Sequence, residues 1–303
     1  MMKTGPNAMK LLSPNPAWRD YEMIDSGGCE KLERFGMRVV RRPEPQALWE
    51  RSLSEGEWKR LAHASFVRKP GQFNDDRGEW RPEPGVPARW KIAYASGDLK
   101  FTMRLGLTSF KHVGIFPEQA PNWDYIYSKT RAAPSERPKV LNLFAYTGGA
   151  SLAACAAGAE TVHVDSVRQV ISWARENMEL SGLSGIRWIL DDAVKFVERE
   201  IRRRSQYDGI ILDPPAFGHG PGGERWVLEQ NIAGLIRSCA MLLKPSGSFL
   251  VLNLYSLGLS SMIAENLLNA CFGSPKNMEC GELFIPDRFN RKMPLGVFAR
   301  FCR

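Results

Sequence analysis

The chain has 303 residues, 44% apolar and 24% charged, an ordinary globular composition with length enough for a sizeable core and one or two domains. Lysines and arginines number 41 against 33 acids, and the resulting +8 favours an anionic partner such as nucleic acid. Six cysteines without a CxxC pair and four scattered histidines argue against a zinc site or a disulfide framework, and fit a reducing cytosol. The first ten residues lack the apolar core of a signal peptide.

Residues 1–20 contain Pro6, Pro14 and Pro16, show no periodicity, and are expected to form a loose arm. Residues 21–134 are short and broken in texture. Runs at 38–41, 90–95 and 99–105 read as strands, the last two forming a hairpin around Gly97-Asp98. Prolines 70, 82, 84 and 87 interrupt the middle, and the whole reads as a small β-rich module. Beyond Ala133-Pro134-Ser-Glu-Arg-Pro138 strands alternate with helices, so a boundary is expected near residue 135.

Strands are predicted at 139–144, 160–165, 186–190, 207–213 and 248–254. Helices are predicted at 149–157, 167–181, 193–204, 228–243 and 260–270. Segments 282–285 and 296–301 look like a terminal antiparallel pair. Residues 140–159 carry no charge, yet Asn142, Tyr146, Thr147 and Gly148-Gly149 make them a strand, turn and helix rather than a membrane span. Right-handed crossovers then build an α/β, Rossmann-like, doubly wound sheet over residues 135–303, with ligands beyond the carboxyl ends of its strands.

The chemistry is expected at those ends. The first strand runs into Gly148-Gly149, where a ligand can approach the backbone and a helix offers free N–H groups. Neither GxGxxG nor a phosphate loop is present, which disfavours a pyrophosphate ligand. Asp165 ends the second strand 17 residues after Gly148, placed to accept both hydroxyls of a ribose, and Asp192 follows the third strand, where an adenine edge would lie. Singly, each acid is equally a solvated strand end or a helix cap. Together they suggest a nucleoside held without phosphates. The fourth strand delivers Asp213 into Pro214-Pro215-Ala-Phe217, a stiff loop that can hold a planar base, with Phe217 able to stack on it. The glycine-rich stretch 218–223 looks mobile enough to close over a substrate.

In these residues the second half resembles the class I S-adenosylmethionine-dependent methyltransferases. Within them it is similar to the bacterial 23S rRNA large-subunit methyltransferases related to the cytosine-5 enzymes. The resemblance implies a seven-stranded methyltransferase sheet, S-adenosyl-L-methionine as cofactor, no metal, no membrane, and RNA, ribosomal above all, as partner. It rests on Asn142-Leu-Phe144-Ala-Tyr146-Thr147-Gly148 for the donor loop, Asp165-Ser166 for the ribose, Asn177 in the next helix, Asp192-Ala193 for the adenine and Asp213-Pro-Pro-Ala-Phe217 for catalysis. The segment 110–119, with His112 and Phe116, looks like the stretch that covers the methionine end of the donor in this group. Aromatic rings at Phe116, Phe144 and Tyr146 could each attract the sulfonium by about 1 kcal/mol, although core packing explains Phe144 equally well.

One departure from the pattern matters. Many 5-methylcytosine enzymes place a cysteine nucleophile after the fifth strand, because ring carbon 5 is inert until attacked. Here the place reads Leu252-Asn-Leu-Tyr-Ser-Leu257, without one, and Cys239 and Cys271 fall in predicted helices. An exocyclic amine or an oxygen would need no nucleophile, and a carbonyl of Asp213 or Pro214 could orient such an amine. Phosphate contacts are expected among Arg34, Arg38, Arg41, Arg42, the Arg202–Arg204 run, Arg288, Arg291 and Lys292, although charge runs are usually solvated faces. Three alternatives stand beside RNA methylation. They are methylation of a small molecule or protein on the same fold, a nicotinamide oxidoreductase disfavoured by the missing glycines, and a catalytically silent RNA-binding protein.

Overall fold

The computed structural model describes residues 8–68, 77–255 and 259–303. They form two compact units. One, here the β module, is Ser13–Ala120 with Phe284–Pro294. The other, the sheet unit, is Met1–Leu12, Pro121–Leu283 and Leu295–Arg303. No helix among the described residues is long and apolar enough to cross a membrane.

The chain begins with β1 (Lys10–Leu12), which pairs in parallel with Gly281–Leu283 inside the stretch expected to be a loose arm. In the β module, β2 (Tyr21–Gly27), β3 (Glu30–Phe35), β4 (Arg38–Pro43), β5 (Ala64–Arg68) and β6 (Gly78–Pro82) form a five-stranded sheet in that order. Helix α1 (Glu55–Leu61) crosses it, started by a capping box between Ser54 and Glu57 and seated by the buried Trp58. Strands β7 (Arg89–Ser96) and β8 (Leu99–Gly106) are the expected hairpin, closing with Ser96 opposite Leu99 and Gly97 at φ 56°. Trp18 belongs to this module too: it is buried and donates to the Ala93 carbonyl at 2.7 Å, so the arm is fixed there as well.

In the sheet unit, α2 (Ala120–Arg131) precedes β9 (Lys139–Leu143), and α3 (Gly149–Ala156), β10 (Glu160–Asp165), α4 (Arg168–Leu180), β11 (Ile186–Leu190), α5 (Ala193–Arg202) and β12 (Gly209–Leu212) alternate after it. A short hairpin, β13 (Phe217–His219) with β14 (Arg225–Val227), leads to α6 (Leu228–Leu242), β15 (Phe249–Leu254), α7 (Ser261–Phe272), β16 (Glu279–Pro286) and β17 (Lys292–Cys302). The sheet order is β1-β16-β17-β15-β12-β9-β10-β11. Seven of these are the strands expected for the fold, and β1 adds an eighth at the edge. Strands β9, β10, β11, β12 and β15 run parallel, while β17 is antiparallel to β15.

Central strands β12 and β15 are buried on both faces, which is why they read as continuous apolar runs rather than alternating ones. Each fully buried Leu, Ile or Val there contributes about 1.5 to 3 kcal/mol. The boundary expected near residue 135 lies instead at 120/121. Helix α2 is held by the sheet unit: Asn122 donates to Asn253 at 2.9 Å, Arg300 donates to the Pro121 carbonyl at 3.0 Å, and Trp123 lies where a Cβ on Gly149 would touch it.

Candidate active site

The chain moves outward from β9 to β10 to β11 and then returns to β12 on the other side of β9. Open α/β sheets bind their ligands at such a reversal, beyond the carboxyl ends of the strands. The register sets these residues level with one another: Val164 and Leu212 both lie opposite Leu143, so Phe144 and Asp213 leave the sheet level with Asp165, the last residue of β10.

The loop after β9 is built to hold an unusual backbone. Phe144 and Tyr146 both have left-handed φ, 56° and 48°, and Gly148 follows at 95°. Two non-glycine residues in that region cost on the order of 1–3 kcal/mol each, and surrounding bonds must hold them there. Asp165 does part of this, accepting the Tyr146 N–H at 2.9 Å on one oxygen and the Val167 N–H at 2.9 Å on the other. Asn177, fully buried on α4, donates to the Thr147 carbonyl at 2.9 Å. Beneath lies a buried polar chain: Asn142 donates to the Ser151 hydroxyl at 2.9 Å, and that hydroxyl meets His163 Nδ1 at 3.0 Å. Burial pulls the His163 imidazole down to about 3, so it is neutral and structural.

Burial likewise pushes the Asp165 carboxyl above its ordinary value, with the Val167, Tyr146 and Ser166 amides pulling the other way. A carboxylate in that balance has lone pairs to spare, and further hydroxyl donors would favour its charged form. Ser166 beside it is half-buried. Asp192, ahead of Ala193, caps α5 by accepting the Lys195 N–H at 3.0 Å on one oxygen. The helix-cap reading of Asp192 is therefore present in the structure, and it engages only that oxygen.

The loop after β12 is held from the far side by a residue that the sequence reading missed. Trp226, buried on β14, donates to the Pro215 carbonyl at 2.7 Å, and its ring packs on Phe144 with centroids 4.8 Å apart. One tryptophan thus ties the Asp213-Pro214-Pro215 loop to the loop after β9. Its signal was the alternation in Arg225-Trp-Val227, too short to read alone. The stretch 218–223, expected to be a mobile cover, is in part the turn of the β13–β14 hairpin, with Gly220 donating to the Glu224 carbonyl at 2.8 Å. Its outer face exposes Phe217, His219 and Arg225 together: the Phe217 and His219 rings lie 4.9 Å apart, edge on, and the Arg225 guanidinium sits 5.7 Å from the Phe217 centroid.

His112 and Phe116 belong to the β module, with rings 5.0 Å apart. The remaining predicted residues, from Phe144 to Phe217, all lie in the sheet unit. Of the candidate phosphate contacts, Arg42 is buried and bonded twice to Glu33. Arg34 and Arg288 pair with Glu22, Arg41 with Glu30 and Glu55, and Arg291 with Asp25 and Asp287. Those charges have acidic partners within the module. Ser256 and Leu257, at the end of the cysteine-free stretch, lie outside the described residues.

A family profile described as S-adenosylmethionine-dependent methyltransferase matches residues 68–272. The chain belongs to this family. A solved S-adenosylmethionine-dependent methyltransferase from Agrobacterium tumefaciens is 37% identical, covers 99% of this chain and 97% of its own, and superposes with a TM-score of 0.88. A structure from Streptococcus mutans assigned to the same class shares the fold at 18% identity, over 93% of this chain and 75% of its own, with a TM-score of 0.70. Among curated proteins, the ribosomal RNA large subunit methyltransferase K/L of Syntrophotalea carbinolica is 35% identical over 153 residues, 49% of this chain and 20% of that protein. Its counterpart from Shewanella frigidimarina is 31% identical over 167 residues, 54% of this chain and 22% of that protein. The chain spans about a fifth of the length of these curated relatives. As a methyltransferase of this family it uses S-adenosylmethionine, which supplies an electrophilic methyl group on a positively charged sulfur. At the strand tips stand the half-buried Asp165 and the buried Asp192, both accepting backbone amides, with the glycine turn at Gly148 beside them.

Proposed function

We propose that the chain methylates a base of ribosomal RNA, at an exocyclic amine rather than a ring carbon. In this reading Asp165 accepts the two ribose hydroxyls, with Ser166 beside it, and Asp192 and Ala193 meet the adenine. Phe144, Tyr146, Thr147 and Gly148 line the methionine end, and resemblance alone adds His112 and Phe116 to the donor residues. Asp213, Pro214, Pro215 and Phe217 hold the acceptor base.

The observation that carries the reading is the make-up of the loop after β12. Trp226 holds this loop through the Pro215 carbonyl, and in this reading a carbonyl of Asp213 or Pro214 orients the amine and takes its bond as charge develops on it. Phe217, 52% exposed with Arg225 beside it, offers a base a stacking face and a phosphate a cation. No thiol serves carbon-5 chemistry at the strand tips: Cys239 is fully buried in α6, and burial pushes its thiol far above the ordinary range. All six cysteines are free thiols, in keeping with a cytoplasmic enzyme.

The test is incubation of the protein with labelled S-adenosylmethionine and ribosomal RNA from cells that lack it, followed by mapping of the modified nucleoside. The expected product is one base carrying the label on an exocyclic nitrogen. Label on carbon 5 would contradict the amine assignment, and label only in protein or small molecules would contradict RNA as substrate.

A further inference from the structure

At the amino ends of β9, β10 and β11, away from the tips that carry Asp165 and Asp213, the sheet unit opens a cleft of about 470 Å3. Four cations, Arg137, Lys139, Arg187 and Arg203, share it with two carboxylates, Glu160 and Glu200. Lys139 lies 3.9 Å from Glu160, and Arg203 bonds Glu200 at 2.9 Å, so both acids already have a partner. Among the described residues no carboxylate pairs with Arg137 or Arg187, and both are exposed. Arg34, Arg41, Arg42, Arg288 and Arg291 of the module have acidic partners, whereas here two guanidinium groups face solvent from a concave surface.

These two groups also have fixed footings. Arg137 lies between Ser135 and Lys139, and both are anchored to the buried Asp208, the Lys139 N–H at 2.8 Å and the Ser135 hydroxyl beside it. Arg187 projects from β11 in register with Val162. Guanidinium forks match phosphate oxygens bidentately. A strand of five or six residues spans about 17–20 Å, so a ligand reaching both this cleft and a base at the opposite tips must be a polymer.

We propose that this cleft is a second contact for the RNA substrate, holding its phosphodiester backbone while a base is presented at the strand tips. The inference rests on the RNA reading above. Two phosphate contacts contribute roughly 1.4–1.8 to the slope of log affinity against log salt. The test compares binding of a ribosomal RNA fragment by wild type and an Arg137→Gln, Arg187→Gln double variant between 50 and 200 mM salt, alongside donor binding. The variant is expected to lose a slope of that size, and therefore to show a salt-induced fall in affinity roughly 10-fold smaller than wild type, with donor affinity unchanged. A Lys59→Gln, Arg60→Gln pair from the β module serves as a control for net charge alone and should keep the wild-type slope. An unchanged slope in the arginine variant while wild type still methylates RNA overturns this inference and leaves the RNA reading intact. Equal slope losses in both variants also overturn it. Failure of wild type to methylate any RNA removes the RNA reading instead, and a slope loss specific to the arginine pair would still support the cleft as a phosphate site.

Discussion

The two units handle buried charge in opposite ways. In the β module the charges answer one another: Glu33, fully buried, accepts the Tyr21 hydroxyl at 2.8 Å and two bonds from Arg42, while Lys31 reaches both Glu33 and Glu44. Burial alone would push the Glu33 carboxyl up, but the Arg42 and Lys31 charges hold it down at about 2. Asp25 is similarly filled, by the Ser26 and Leu53 amides, the Trp58 indole and Arg291. At the strand tips of the sheet unit Asp165 and Asp192 accept backbone amides and, among the described residues, pair with no cation. A filled network fixes a fold, and a partly filled one leaves bonds for a ligand to make.

The comparison is tested most severely where the module is saturated. Arg42→Ala removes the main partner of a buried carboxylate, and the expected cost is about 3–5 kcal/mol, seen as a lower urea midpoint for the full chain. A loss below 1 kcal/mol would mean that the network is ornamental to the fold. A smaller effect is expected at the tips. Asn177→Ala breaks the bond to the Thr147 carbonyl, with a cost of about 1–2 kcal/mol in stability and weaker donor binding, read by denaturation and calorimetry. Stability loss without any change in donor affinity would separate the loop after β9 from the donor.

The last effect is read as a pH dependence and concerns Glu118, the one carboxyl among the module's described residues found shifted the other way. Burial raises it to about 7, with Lys31 and Arg42 only partly offsetting this. Because the folded value lies above the unfolded one, its stabilising contribution is complete below about pH 4.5 and is lost as pH rises towards 7, levelling off beyond. Glu118→Gln should remove that slope, so the difference in stability between variant and wild type should move in favour of the variant across this window. A difference independent of pH would show that Glu118 is charged throughout.

Much of the sheet unit was legible in the sequence because its strands and helices announce themselves by period and are punctuated by Gly148, Asp165 and Pro214. What escaped has physical reasons. Helix α2 has Pro121 as its second residue and carries a weak apolar stripe, since Trp123, Asn122 and the pairing with Arg300 hold it rather than a continuous hydrophobic face. Strands β2 and β3 were obscured because their buried positions include charged residues such as Asp25 and Glu33, which a hydrophobic pattern cannot find. The pairing of the basic residues was hidden for the same reason: a sequence shows an arginine but not the carboxylate that meets it across two strands. At the site, the residues after each strand could be named in advance, but the left-handed backbone at Phe144 and Tyr146 and the tie from Trp226 depend on loops folding together.

The central claim is that the donor's ribose is held by Asp165. Calorimetric titration of S-adenosylmethionine into wild type, Asp165→Asn and Asp165→Ala tests it directly, with circular dichroism confirming that each variant is folded. The expected result is tight binding by wild type, intermediate binding by the asparagine variant and at least a roughly 10-fold loss for alanine, corresponding to one or two charged hydrogen bonds. Equal affinity in all three folded proteins would contradict the account.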